Sequence, residues 1–256
     1  MTLNILVAVK RVPAPGAKIV LTEDAQRIDT KHLGFTVSPH EECAVEEAVQ
    51  LVGRHGGSST VITLGPPVAE EQLRTAISMG IDHGVLVETD DEEWDALATA
   101  AALTDAIQTL EADGDRFDLI LFGNESADAG NYQVGIRVAH ALDRPVVSGI
   151  KAIEPTDGRA TMKRAVADGF EVLDLPLPAV AAVKEGINLP RYPAMRGRLL
   201  AKKAQIRRLT PQRRDGGMRR VRLHHPPQQQ AQTQMLGTGA DAAPAVAALF
   251  EEVGLL

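Results

Sequence analysis

Residues 118–142 read DLILFGNESADAGNYQVGIRVAHAL, and this stretch decides how the chain folds. The apolar run at 118–122 contains no breaker and is long enough for a buried strand, which Gly123 ends. A small polar loop follows, and from Asn131 onward apolar residues recur on one helical face. The stretch therefore predicts a strand, a loop and a helix in succession.

The start of this predicted helix is a candidate anion site. The first N–H groups of a helix have no intrahelical partners and lie at the positive end of the helix dipole, which favours phosphate. Gly130 and Gly135 allow a ligand to approach the backbone closely. The loop is not a P-loop, since no G-K-[ST] follows, and it is not G-x-G-x-x-G. An ordinary connection between a strand and a helix is the alternative interpretation.

The same alternation of strands and helices runs through the first 150 residues. Ser38 and Glu41 form a capping-box pattern, with Pro39 at the first helical position, and they predict the start of the first helix. The predicted strands are residues 3–9, 60–64, 84–87 and 118–122, and a fifth strand begins at 146. This order is typical of a doubly wound α/β fold with a mostly parallel sheet.

Ligands on such sheets bind outside the carboxyl ends of the strands, at the switch point. We therefore expect residues 8–10, 64–65 and 123–133 to converge on one site. This convergence favours a binding role for the loop after Gly123.

The pattern changes after residue 150, where turns separate short alternating runs. Residues 161–166 and 171–175 predict an antiparallel hairpin, and residues 178–183 predict one more strand. We interpret this part as an antiparallel extension of the same sheet. The predicted organisation is an α/β domain at residues 1–183, a loop segment at 184–203, and a basic segment with a C-terminal arm at 204–256.

Charge is distributed unevenly along the chain. Residues 184–225 contain 13 Lys or Arg and two Asp or Glu, whereas the remainder contains 14 bases and 32 acids. A basic segment on an acidic body suggests a surface for an acidic partner or for nucleic acid. Tyr192 is the one aromatic residue of this segment, so it offers no stacking platform, and we do not expect nucleic acid as the partner.

Two further features bound the cellular setting. No apolar run approaches 18 residues, so we expect no membrane insertion. The single cysteine, Cys43, excludes an internal disulfide and is consistent with a reducing cytoplasm. We interpret Cys43 as a packing residue.

Residues 184–203, the recognition segment, form a candidate docking surface. Met195 is an isolated apolar residue among Arg191, Arg196 and Arg198, and methionine is an adaptable contact residue. This arrangement is typical of one apolar anchor in a basic ring, offered to a pocket on a partner. The alternative interpretation is a solvated linker.

Several stretches in register resemble one family. They are LVAVKRV at 6–12, AVEEAV at 44–49, RTAISMGID at 74–82, the GNES loop with QVG at 133–135, and INLPRYPAMRGRLLAKK at 187–203. In this order they resemble the β subunit of electron-transfer flavoproteins, in its bacterial form, across nearly the whole chain.

The resemblance implies an adenine-nucleotide-binding α/β fold and an electron carrier rather than an enzyme, without catalytic residues or a metal. It implies an α subunit that supplies most of the FAD site, on which the C-terminal arm packs. It also implies AMP as a structural ligand of this chain. The positions that match the AMP contacts of the family are Ala8, Ser38, Leu64, Gly123, Asp128, Asn131, Gln133 and Val134.

The same resemblance implies the partners. Met195 matches the apolar anchor that docks to dehydrogenases of the acyl-CoA dehydrogenase type, which act in fatty acid β-oxidation. Lys202 and Lys203 match a basic helix beside that anchor, and a membrane quinone reductase would receive the electrons.

The chain also departs from the family. Residues 13–16 read PAPG, where relatives often have an aromatic residue close to the flavin ring. Some relatives bind a second FAD in place of AMP, and this alternative stays open. A nucleotide-hydrolysing or adenylating α/β enzyme is the other alternative, and it would have to use Glu125 and Asp128 near the Gly123 loop.

Overall fold

The computed structural model describes residues 1–90, 92–214, 217–227 and 234–256. The chain forms two compact units, Met1–Val221 and Arg222–Leu256. The glutamine-rich part of the predicted C-terminal arm, residues 228–233, lies outside the described residues.

The first unit is built on one large sheet flanked by helices. Its strands are β1 (Leu3–Ala8), β2 (Val12–Pro13), β3 (Phe35–Thr36), β4 (Gly57–Gly65), β5 (His83–Glu88), β6 (Leu119–Gly123), β7 (Val146–Thr156), β8 (Arg159–Val166), β9 (Gly169–Pro176), β10 (Ala179–Val183) and β11 (Ile206–Leu209). Its α-helices are α1 (Pro39–His55), α2 (Glu70–Met79), α3 (Ala96–Ala112), α4 (Val134–Ala141) and α5 (Met195–Lys203). Nine of these strands form the sheet in the order β11-β5-β4-β1-β6-β10-β7-β8-β9.

Helices cover both faces of the parallel part of this sheet. Alternate residues of β1 point to opposite faces, so Ile5 belongs to one core cluster and Leu6 to the other. Leu51 of α1 packs in the first cluster, and Ile107 of α3 packs in the second. Burial on both faces explains the continuous apolar runs that marked these strands in the sequence. The predicted doubly wound, mostly parallel α/β fold is confirmed.

Strand β10 lies elsewhere than the sequence suggested. We assigned residues 178–183 to the antiparallel extension, but β10 lies between β6 and β7 and is parallel to both. All five of its residues are buried, as the centre of a parallel sheet requires. The antiparallel extension therefore consists of β8, β9 and the part of β7 that pairs with β8.

The first unit also extends further along the chain than the predicted boundary at Val183. Strand β11, inside the predicted basic segment, pairs in parallel with β5 and closes one edge of the sheet. Helix α5 packs on α2, and the guanidinium of Arg74 in α2 donates to the carbonyl of Ala201 near the end of α5. The apolar residues Ile206 and Leu209 were too few to mark a strand among so many arginines.

Gly197 brings α5 into close contact with α2. A Cβ atom at Gly197 would lie 2.3 Å from the carbonyl oxygen of Ser78. Gly197→Ala should therefore destabilise the fold by about 1–3 kcal/mol through overpacking, which exceeds the gain of about 1 kcal/mol in helix propensity. Gly53→Ala in α1 is the matched control, because no atom lies within 4 Å of its added Cβ. Urea unfolding should show a lower free energy of unfolding for Gly197→Ala and a higher one for Gly53→Ala. Changes of the same sign in both variants would contradict the close contact.

The second unit contains α6 (Ala243–Glu252), preceded by a 3₁₀ turn at Gly239–Ala242. Every residue of α6 is at least partly exposed. Among the helices of the described ranges, none combines the length and the apolar character that a membrane crossing needs.

Candidate functional site

A cleft of about 690 Å³ opens at the carboxyl ends of β1, β4 and β6. Its walls contain the ends of the three strands that the sequence analysis expected to converge. Six of the eight residues predicted to contact a nucleotide line it, and they are Ala8, Leu64, Gly123, Asn131, Gln133 and Val134.

The other two predicted contacts, Ser38 and Asp128, are not among the residues that line the cleft. Ser38 is fully buried, and its hydroxyl donates to the carbonyl of Glu125 at 3.4 Å. Asp128 forms an ion pair with Lys10 at 2.6 Å and accepts a hydrogen bond from the N–H of Ala129 at 2.7 Å. Ser38 therefore holds the loop at Glu125, and Asp128 holds the side chain of Lys10, and both Glu125 and Lys10 line the cleft.

Helix α4 begins three residues later than the sequence predicted. Gly130 and Tyr132 adopt positive φ angles of 55° and 57°, which interrupt the helical backbone at this point. Gln133 is the N-cap, and Val134 is the first helical residue. The free N–H groups of this helix start therefore belong to residues that line the cleft, which is the geometry of an anion site.

Two glycines allow close packing around the cleft, Gly123 between β6 and α1 and Gly135 between α4 and β6. A Cβ atom at Gly123 would lie 2.6 Å from Cγ of Glu41, and one at Gly135 would lie 2.9 Å from Cγ of Phe122. The absence of a side chain at Gly135 thus sets the position of the start of α4, and the absence of one at Gly123 lets the end of β6 approach the start of α1.

Glu41 is a buried carboxyl group that lines the cleft beside the end of β6. It caps α1, since its side chain accepts the N–H of Ser38 at 3.2 Å, as the capping-box pattern predicted. Burial raises the pKa of Glu41 to about 7, although the backbone N–H groups of Lys10 and Ser38 oppose the shift. Near neutral pH this carboxyl group is therefore partly protonated.

The raised pKa of Glu41 makes stability depend on pH. A pKa that rises from 4.5 to about 7 on folding contributes stability that is complete below pH 4.5 and is lost as the pH rises through 7. At 1.36 kcal/mol per pKa unit, the loss is about 3 kcal/mol. Relative to Glu41→Gln, the wild type should lose this stability between pH 4.5 and 8. Urea unfolding at several pH values would measure this difference, provided that both proteins have equal m-values. Free energies of unfolding that change with pH in parallel for the two proteins would contradict the buried carboxyl group.

Several residues of the cleft were missed in the sequence. Arg11 follows the residues 8–10 that were expected at the site, and it also lines the cleft, where its guanidinium carbon lies 3.3 Å from the ring centroid of Phe35. Trp94 also lines it, and its indole nitrogen is buried without a hydrogen-bond partner among the described residues. The adjacent Lys and Arg after a predicted strand were a visible signal, whereas nothing near Trp94 in the sequence marked it.

The recognition segment presents its predicted anchor to solvent. Met195 begins α5 and is 72% exposed, and Arg196 follows it on the surface. Lys202 and Lys203 form the last turn of α5 and are also exposed. Arg191 differs from the others, because its guanidinium is bound to Glu46 of α1 at 2.7 Å.

Comparison with known proteins decides the family. The sequence model of the electron transfer flavoprotein domain matches residues 27–213, which include the Gly123 loop and the recognition segment. The chain belongs to the electron transfer flavoprotein family. The resemblance seen in the sequence is thereby confirmed.

Relatives of this chain occur in bacteria and in Dictyostelium discoideum. The chain is 35% identical over 209 residues to the electron transfer flavoprotein subunit beta of Bacillus subtilis, which covers 81% of this chain and 79% of the relative. It is 37% identical over 207 residues to the subunit beta of Syntrophomonas wolfei, covering 80% and 79%. It is 30% identical over 213 residues to that of Dictyostelium discoideum, covering 83% of each. These relatives are subunits of an electron carrier.

Proposed function

We propose that this chain is the β subunit of a heterodimeric electron transfer flavoprotein and that it binds AMP as a structural ligand in the cleft. The observation that carries the proposal is the cleft itself, where the N–H groups at the start of α4 meet the ends of β1, β4 and β6. Its volume of about 690 Å³ lies within the range of small-molecule sites. An α subunit supplies most of the FAD site.

The residues of the cleft fit the parts of AMP. The N–H groups of Gln133 and Val134 would hold the phosphate, because a helix start favours negative charge. Ala8 and Leu64 offer apolar surface to the base, and Lys10, paired with Asp128, lines the same wall. FAD supplies the redox chemistry when bound, and the task of this chain is to bind, orient and dock.

The proposed electron path begins at a dehydrogenase of the acyl-CoA dehydrogenase type and ends at a quinone reductase. The exposed Met195 at the start of α5 supports docking to a pocket on such a partner. A single, buried cysteine, Cys43, suits the reducing cytoplasm, where we place the heterodimer.

A nucleotide-hydrolysing enzyme is less well supported. It would need a carboxylate near the Gly123 loop, but Glu125 lies 3.2 Å from Nε2 of His40 and Asp128 is paired with Lys10. Both carboxylates are therefore engaged with side chains of the protein. Turnover of ATP in the presence of Mg²⁺ would favour the enzyme.

Co-expression with an α subunit of the family tests the proposal. The purified heterodimer should be yellow, should contain FAD, and should be reduced when an acyl-CoA dehydrogenase and its substrate are added. A chain that forms no complex with the α subunit, or a complex without flavin, would contradict the proposal.

A further inference from the structure

The recognition segment is fixed to α1 at three points. The backbone N–H of Glu185 donates to Nδ1 of His40 at 2.7 Å. Further along, the side-chain amide of Asn188 donates to the carbonyl of Cys43 at 3.0 Å and to the carboxylate of Glu47 at 2.8 Å. The residues of α1 that accept these bonds are spaced as one helical face. The segment therefore follows the surface of α1 instead of extending into solvent.

Arg191 forms the third point, and it is the strongest. Its Nε and Nη2 atoms donate to the two carboxylate oxygens of Glu46 at 2.7 and 2.9 Å, and its backbone N–H donates to the same group at 3.2 Å. The side-chain amide of Gln50 donates a fourth hydrogen bond to the carboxylate of Glu46 at 2.8 Å. A bidentate pair of this kind fixes orientation as well as distance.

The two partners of this pair are not equally accessible. The side chain of Glu46 is 4% exposed, whereas that of Arg191 is 44% exposed. Burial would raise the pKa of Glu46, but the hydrogen bonds from Arg191 and Gln50 outweigh it and hold the pKa below its ordinary value. Two further acidic groups of α1 face the segment: Glu47 binds Asn188, and Glu42 lies near the carboxylate of Glu185. A charged and buried Glu46 thus holds Arg191 in place.

Three apolar side chains between and beyond these points face solvent, whereas Ile187 packs against the core. Leu189 is 88% exposed, Tyr192 is 93% exposed and Met195 is 72% exposed. Exposed apolar side chains on a backbone that is held in place lose little conformational entropy when a partner binds them. The fixed backbone is what directs these side chains outward.

We propose that Arg191 is a positioning residue, which acts through Glu46 to hold the backbone that presents Tyr192 and Met195 to an apolar pocket on the partner protein. This replaces the role that the sequence suggested for Arg191, in which its charge contacts the partner. The proposal rests on the proposed docking function of the recognition segment. Arg196 keeps the direct role, since it makes no ion pair with the described residues.

Hydrogen exchange in the assembled heterodimer, measured without a dehydrogenase, tests the positioning role. In Glu46→Gln and in Arg191→Met, the amides of residues 186–194 should exchange about tenfold faster or more, because the charged pair that closes the loop is lost. Arg196→Met is the matched control and should leave this exchange unchanged. Unchanged exchange in the first two variants would overturn the proposal, whether or not the heterodimer transfers electrons.

Dehydrogenase-dependent reduction of the flavin provides the second readout. Glu46→Gln and Arg191→Met should raise the KM for the heterodimer with little change in kcat, and combining them should add nothing further, since they remove one interaction. Arg191→Lys should behave as Arg191→Met does, because lysine cannot form the bidentate pair. A normal KM for both Glu46→Gln and Arg191→Lys, with a raised KM for Arg191→Met, would show a direct charge contact and would overturn the proposal.

Discussion

Replacing Gly135 with valine should remove the bound nucleotide from the assembled protein. The added Cβ would lie 2.9 Å from Cγ of Phe122, which belongs to β6 at the floor of the cleft, so the start of α4 has to move away. Two misplaced N–H donors to a charged phosphate cost about 1.5–3 kcal/mol each, which together lower affinity by roughly a hundredfold or more. Nucleotide content after purification and dialysis measures this loss.

Gly53→Val in α1 is the matched control for this prediction. Gly53 is exposed and has no atom within 4 Å of its added Cβ, so the cleft should keep its nucleotide. Circular dichroism of both variants separates an empty cleft from an unfolded chain. A folded Gly135→Val protein with full nucleotide content would show that the helix start does not hold the phosphate.

Replacing Met195 with alanine should weaken docking to the dehydrogenase. Its side chain is 72% exposed at the start of α5, and truncating an anchor of an interface costs about 2 kcal/mol or more, which is roughly a thirtyfold rise in KM. The flavin content and its reduction by dithionite report the cofactor and not the docking surface. Steady-state reduction by the dehydrogenase therefore isolates the effect.

Met218→Ala is the control for the docking prediction. Met218 is 68% exposed in the same unit but lies outside the recognition segment. It should leave the KM as in the wild type. Equal KM values for Met195→Ala and the wild type would contradict the assignment of Met195 as the anchor.

The local patterns predicted most of the sheet and the start of α1. Ser38 and Glu41 specify a helix start within four residues, and an apolar run such as residues 118–122 specifies a buried strand without any distant information. The convergence of strand ends followed from the topology of parallel sheets. These features depend on short-range chemistry, which a sequence displays directly.

Long-range pairing could not be predicted in the same way. The sequence of β10 specifies a buried strand, but its place between β6 and β7 depends on contacts with residues about 35 to 60 positions away. Likewise, the role of Arg191 depends on Glu46, which lies 145 positions earlier. Spacing along the chain carries no sign of such partners.

The partners of the arginines in the basic segment could not be predicted from the sequence either. The sequence suggested a surface for an acidic partner, but many of its arginines bind acids of the first unit. Arg208 pairs with Glu70 at 2.5 Å, and Arg214 pairs with Asp105 at 2.8 Å. Arg207, Arg213 and Arg220 likewise pair with Asp113, Glu92 and Glu93. Much of this positive charge is therefore neutralised within the chain, which argues against nucleic acid as the ligand.

We propose that the cleft of this chain binds a structural adenylate beside the redox site of its partner. Mass spectrometry of the nucleotides released when the purified heterodimer is denatured tests it most directly. We expect FAD together with AMP in equal amounts. FAD alone, or two FAD molecules per heterodimer without AMP, would contradict the assignment of the cleft to AMP.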